Sequence, residues 1–200
     1  MPSWIPNLAA RSQRGLRTAC VTLLALVVLL AGCAPGSRMP PLEPYNGATY
    51  LLGVGDQVRL LTFGVEQLSG AFRVNDSGDL ELPLVGSVRA AGLTTRELRD
   101  SLARDLESRR LLQSPSLSIE VVEYRPIFVL GEVNRPGQYP YQPRMKMLTA
   151  VAVAGGFTYR AVESHVQALR STGATPVTGR SALDGYVAPG DVITVLERYF

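Results

Sequence analysis

Hydrophobic and polar positions alternate with a period of two in several short runs. Each run is bounded by Gly, Pro, Asn or Asp, which is how half-buried strands and their turns read. Val58 to Phe63 is one such run, entered through Gly53-Val54-Gly55-Asp56. Phe72 to Val74 and Asp79 to Leu84 flank the turn Asn75-Asp76-Ser77-Gly78 and predict a hairpin. In Leu117 to Tyr124, Leu117, Ile119 and Val121 share one face against Ser118 and Glu120. Ile127 to Leu130 predicts another strand, then a type II turn at Arg135-Pro136-Gly137-Gln138 and an extended run through Tyr139 and Tyr141. Pro136 presets φ at the first central position of that turn, and Gly137 supplies positive φ at the second. His165 to Arg170 and Val192 to Leu196 complete the strands, with Ser171 to Pro176 expected as a turn-rich connection.

Two segments change the period to that of a helix. Thr94 as N-cap with Glu97 three residues on forms a capping box, Leu93 can staple onto Leu98, and Leu98, Leu102 and Leu106 make one apolar stripe. Met147, Leu148, Val151 and Ala154 recur at helical spacing and are closed by Gly155-Gly156. Strands and helices are mixed without a regular alternation, so the fold class is α+β, in two small domains that abut at Arg125-Pro126. Gly190-Asp191-Val192-Ile193 echoes Gly55-Asp56-Gln57-Val58: in each half a Gly-Asp turn feeds an apolar strand.

The N-terminus follows another pattern. Arg11, Arg14 and Arg17 precede an apolar run from Ala19 to Leu30, followed by Ala31-Gly32-Cys33, the layout of an export signal. Leu30-Ala31-Gly32-Cys33 closely resembles the lipobox of bacterial lipoproteins, which implies that residues 1–32 are removed and that Cys33 is acylated. An uncleaved anchor and a plain secretory signal are the competing readings. Spanning a bilayer takes about 20 apolar residues, whereas Gly32, Pro35 and Gly36 break this run early. With Cys20 removed and Cys33 acylated, no disulfide can form in the mature chain. Residues 33–49 read as a lipidated, Pro-rich tether, whose stretch 34–48 contains Pro35, Pro40, Pro41 and Pro44 and reaches about 45 Å at roughly 3.1 Å per residue.

Charge then excludes one class of function. The 200 residues carry a formal charge of +3, but the three signal arginines account for it, and 17 basic face 17 acidic residues from Cys33 onward. With a single lysine, Lys146, and scattered arginines, nucleic acid is not expected as a partner. Catalytic, metal and cofactor sites are not expected either. Gly53-Val54-Gly55 has Val58 where a dinucleotide fingerprint needs its third glycine, and a strand follows. Asp76 and Asp79 belong to a turn and have no third ligand or partner histidine nearby, and His165 has no cysteine and no carboxylate constellation beside it.

Taken together, the chain resembles the outer-membrane polysaccharide export lipoproteins. Residues 50–124 resemble their polysaccharide export domain, through Tyr50-Leu51-Leu52-Gly53-Val54-Gly55-Asp56, Gly78 to Pro83 and the helix from Thr94. Residues 125–200 resemble the soluble-ligand-binding β-grasp domain, through Val129-Leu130-Gly131-Glu132-Val133, Pro136-Gly137, Ala154-Gly155-Gly156 and Pro189-Gly190-Asp191-Val192-Ile193. The resemblance implies a ring of identical subunits, lipid-anchored at the outer membrane and facing the periplasm. Such a ring conducts a capsule or exopolysaccharide and docks onto an inner-membrane co-polymerase or export partner. Only one β-grasp repeat is visible, and no segment after residue 48 reaches membrane-spanning length. A separate outer-membrane porin is therefore a further expected partner.

Asn134, Arg135, Pro136, Gly137 and Gln138 are the expected subunit or partner contacts. The alternative is a monomeric glycan-binding lipoprotein that stacks sugars on Tyr139, Tyr141, Phe157 and Tyr159, although packing in the core also accounts for these rings. The lipobox reading makes one direct prediction. An alkyne-bearing fatty acid fed to cells should label the wild-type protein, and Cys33→Ala should abolish both label and processing; a variant processed and anchored like wild type contradicts it.

Overall fold

The computed structural model describes residues 39–47, 49–172 and 175–198; the signal segment, Cys33 and the start of the tether lie outside the described residues. The first domain comprises β1 (Gln57–Thr62), β2 (Gly70–Arg73), β3 (Asp79–Leu82), β4 (Gly86–Arg89), α1 (Thr95–Ser108) and β5 (Leu117–Glu123). The second comprises β6 (Ile127–Gly131), β7 (Gly137–Tyr139), α2 (Met147–Val153), β8 (His165–Thr172), β9 (Thr175–Ala182) and β10 (Val192–Val195).

In the first domain β1 is the central strand of an antiparallel sheet ordered β2-β1-β5. Its alternation buries Val58, Leu60 and Thr62 and leaves Arg59 and Leu61 outside. Helix α1 covers the buried face because its Leu98, Leu102 and Leu106 lie four residues apart, and all three are buried. The capping box is present: the Glu97 N–H donates to Thr94 Oγ1 at 3.1 Å, and the Thr94 N–H to Glu97 Oε2 at 2.8 Å. Those bonds from Thr94, the backbone one first, hold the Glu97 carboxyl below its usual range.

The second domain is one five-stranded sheet ordered β7-β6-β10-β8-β9, with β6 and β10 parallel at its centre and antiparallel pairs outside. A hairpin, a helix, a second hairpin and a final strand inserted at the centre make the β-grasp arrangement. Parallel strands need a long crossover, and α2 with β8 and β9 supplies it. The core gathers Ile127 and Val129 from β6, Met147, Ala150 and Val151 from α2, Val166 and Ala168 from β8, and Ile193 and Val195 from β10. Each domain thus has its own apolar cluster.

Several local expectations change. The residues 72–84 do not form a hairpin, although the turn closes through the Gly78 N–H on the Asn75 carbonyl at 2.8 Å. β2 pairs with β1, and β3 pairs with β4 across Pro83-Leu84-Val85. Two backbone bonds, Val74 N–H to the Asp56 carbonyl and Gly55 N–H to the Val74 carbonyl, tie the end of β2 to the Gly-Asp turn.

Gly137 has no positive φ; it opens β7 opposite Val129, so the Pro136-Gly137 pair is not a type II turn. The left-handed position is Gly131 (φ 81°), where a Cβ would lie 2.1 Å from the Val195 carbonyl oxygen. Within Ser171 to Pro176, expected as a turn-rich connection, the strands run further than the sequence suggests: β8 and β9 pair to Thr172 opposite Thr175. Leu148 is half exposed, and Ala150 takes the core position instead.

The tether is also shorter than expected. Pro41 bridges Arg180 in parallel, the Leu42 N–H donates to the Arg180 carbonyl, and the Arg180 N–H donates to the Pro40 carbonyl, both at 2.8 Å. Leu42 is buried in the second core, over Gly179, where a Cβ would lie 2.8 Å from the Leu42 backbone. Residues 40–45 are therefore a strap along the free edge of β9, because an exposed edge strand with a gap in its side-chain layer accepts another strand.

Candidate functional site: the domain junction

Only Tyr124, Arg125 and Pro126 separate β5 from β6, so the domains meet directly. The junction is built on the two Gly-Asp turns, which share one geometry. Gly55 (φ 94°) and Gly190 (φ 85°) adopt the left-handed conformation just before each aspartate. In one turn the Gly53 N–H donates to Asp56 Oδ2 at 2.7 Å; in the other the Ala188 N–H donates to Asp191 Oδ2 at 2.8 Å. The aspartate N–H returns to the carbonyl three residues back, Gly53 or Ala188, at 3.1 Å in both.

Each carboxylate is fully buried and must find donors there. Asp191 takes a bidentate pair from Arg170, with Nε to Oδ1 at 3.0 Å and Nη2 to Oδ2 at 2.7 Å. Arg170 also donates to the carbonyls of Tyr186 and of Glu43 in the strap, and its guanidinium lies 5.4 Å from the ring centre of Tyr45. Asp56 takes the Arg125 N–H on Oδ1 at 2.9 Å and the Tyr50 hydroxyl on Oδ2. The Arg125 guanidinium stands 3.8 Å from Asp56, and its Nε donates to the Pro189 carbonyl at 2.9 Å. Arg125 therefore joins the first Gly-Asp turn to the second. It fits because Gly53 has no side chain: a Cβ there would lie 1.3 Å from Nη1.

Three rings cross the same boundary edge to face. Tyr50 and Tyr124 have centroids 5.0 Å apart, and Tyr124 and Tyr141 are 5.4 Å apart. Burial, then the hydrogen bond to Asp56, pushes the Tyr50 hydroxyl far above its usual range. Tyr141 is pushed up to about 12, first by burial and then by the neighbouring Tyr45. Both hydroxyls therefore stay protonated as donors at any physiological pH. The arrangement is a lock: its carboxylates are saturated by donors and positioned to hold rather than to react.

The residues singled out in the sequence fall elsewhere. Asn134 to Gln138 links β6 to β7 and is anchored to the end of α2. Asn134 Nδ2 donates to the Gly155 carbonyl at 2.8 Å, and the Arg135 N–H to the Ala154 carbonyl at 2.8 Å. Asn134, Arg135, Pro136 and Gln138 remain exposed, with Gly137 half-buried. The four aromatic candidates do not form one platform. Tyr141 is buried in the junction, Tyr139 and Phe157 pack on the second core, and only Tyr159 is open, at 84% exposure. Asp76 is exposed in its turn, Asp79 lies 3.4 Å from Arg89, and His165 is buried with Nδ1 2.9 Å from Ser164 Oγ. Among the described residues no group of three or more His, Cys, Asp or Glu is placed to hold a metal ion. Arg125, Arg170 and Tyr124 were not singled out in the sequence; the repeated Gly-Asp pair was the available signal, and Arg125 read only as the residue before a proline.

Fold and junction define a two-domain α+β protein whose second domain is a β-grasp. Residues 44–122 match the family described as "Polysaccharide biosynthesis/export protein", and residues 126–180 match the SLBB domain. The chain belongs to this polysaccharide export protein family. It is 34% identical over 159 residues, 74% of its length, to the exopolysaccharide production protein ExoF of Rhizobium meliloti (strain 1021). It is 31% identical over 111 residues (54% of this chain) to the EPS I polysaccharide export outer membrane protein EpsA of Ralstonia nicotianae. To the polysialic acid transport protein KpsD of Escherichia coli it is 27% identical over 134 residues (60% of this chain). The matched part spans 36%, 29% and 24% of these relatives, respectively.

Removing the Asp56 carboxylate would strand two backbone N–H groups, a hydroxyl and a guanidinium. Asp56→Ala should therefore lower the unfolding free energy by about 3 to 5 kcal/mol in chemical denaturation. A loss below about 1 kcal/mol, the level of a surface ion pair, would contradict the lock.

Proposed function

We propose that the protein is a non-catalytic subunit of an assembly that carries a capsule or exopolysaccharide across the outer membrane. It faces the periplasm and is held to the membrane by acylated Cys33. The observation that carries this reading is the presence of both family domains, locked to one another through Asp56 and Arg125. The names of ExoF, EpsA and KpsD support the polysaccharide and the outer membrane as the setting. Acylation supports stable anchoring, since each buried CH₂ contributes about 0.8 kcal/mol and more than one chain makes the attachment durable.

The mechanism is geometric. Copies of a stiff subunit close into a ring whose wet lumen admits a hydrated glycan chain, and the lipid anchors fix the ring at the membrane. A subunit that flexed at Arg125-Pro126 would not hold a constant angle between neighbours, so the junction suits closed symmetry. Asn134 to Gln138 is the contact to a neighbouring subunit or to an inner-membrane export partner: its backbone is pinned to α2 while most of its side chains stay exposed. A separate outer-membrane pore completes the passage. The monomeric glycan-binding alternative has less support, because Tyr141, Tyr139 and Phe157 are engaged in packing.

A clean deletion should leave polysaccharide synthesis able to start while surface polysaccharide is lost, measured by quantifying cell-surface and intracellular glycan. Normal surface polysaccharide in the deletion strain contradicts this function.

A further inference from the structure

A groove of about 910 Å³ opens at the junction, within the range of small-molecule and oligosaccharide sites. The strap forms one wall, residues 49–54 the floor, the end of β4 a second wall, and Arg125 with the Pro189-Gly190 turn the last. Both domains and the strap are needed to enclose it.

Its chemistry is one-sided. Two arginines line it, Arg89 and Arg125, and none of its lining residues is Asp or Glu. The carboxylates that face these arginines, Asp79 for Arg89 and Asp56 for Arg125, lie outside the lining, so the groove itself presents only the cationic side. The Arg89 side chain is 63% exposed; it donates to the neutral Ser77 carbonyl and stands 3.4 Å from Asp79. Arg125 commits Nε to Pro189, while the Asp56 oxygens nearest it are occupied by Gly53 N–H, Tyr50 hydroxyl and its own backbone N–H. Its Nη2 has no hydrogen-bond partner among the described residues. Tyr45 and Tyr50 contribute ring surface, and Leu51, 45% exposed, adds apolar area at the floor.

An arginine fork matches a carboxylate, aromatic and aliphatic surface matches the carbon face of a pyranose, and both occur in one groove. We propose that this groove binds a short segment of an acidic glycan, with a sugar carboxylate placed between Arg89 and Arg125. The inference rests on the export reading and narrows its cargo to glycans bearing carboxylates. The same groove then gives the exported chain a weak, salt-sensitive holding point on each subunit, since exposed cations are screened over a Debye length of about 8 Å at physiological ionic strength.

Titration calorimetry of the full-length protein in mild detergent tests it, with trigalacturonate and its carboxyl-reduced neutral counterpart as probes. Trigalacturonate should bind at least about tenfold more tightly than the reduced trisaccharide. Arg89→Gln should weaken binding of the acid by about tenfold with an unchanged melting temperature, and Arg89→Lys, which keeps the charge but loses the fork, should fall between Arg89→Gln and the wild type. Absence of binding, equal affinity for the two probes, or an unaffected Arg89→Gln variant overturns the proposal. If the titration fails while the deletion strain still loses its surface polysaccharide, the export function stands without this site. If the acid binds as expected while the deletion strain keeps its surface polysaccharide, the site stands and the export function falls.

Discussion

A carboxylate taken out of water is the constraint on which this architecture turns. Asp56 lies between two domains with no exposure to solvent, so its charge has to be met by donors of the protein itself. Those donors come from three places: the turn that carries it, Tyr50 at the start of the first domain, and Arg125 at the entry to the second. Satisfying one side chain therefore fixes the path of the linker. Arg125 then reaches Pro189, and the first turn is tied to the second. A linker of three residues would otherwise permit a range of domain angles.

The second turn repeats the device with a different outcome. Asp191 holds Arg170, and Arg170 holds the carbonyl of Glu43 and faces the ring of Tyr45. The same local geometry thus orders a linker in one domain and a strap in the other. The strap covers the edge of β9 and buries Leu42, so residues 40–45, ahead of the first domain in the chain, are part of the β-grasp domain. Both arginines are partly or fully buried, which gives these pairs more weight than surface bridges such as Arg73 with Glu123, where both partners are more than half exposed.

Much of the fold was legible in the sequence because its signals are local. The period-four leucines and the capping box specified α1, and alternation specified β1 and β5. β9 was not legible: Thr175 to Ala182 is polar and glycine-containing, and it is a strand because β8 and the strap lie on either side. The misplaced hairpin at residues 72–84 failed for the same reason, since β2 takes its partner from the preceding strand β1, as in Phe72 opposite Val58. Of the site, the two Gly-Asp turns could be read as a repeat, but not the arginines that complete them. Nothing in the local pattern distinguishes Arg125 or Arg170 from the exposed arginines of α1.

The central claim is that the two domains are one rigid body, and the distance between them tests it most directly. Spin labels at exposed Arg96 on α1 and exposed Thr178 on β9 would report it by double electron–electron resonance. The account predicts a single narrow distance distribution in the wild-type protein that broadens in Asp56→Ala. A broad or multimodal distribution in the wild-type protein would contradict it.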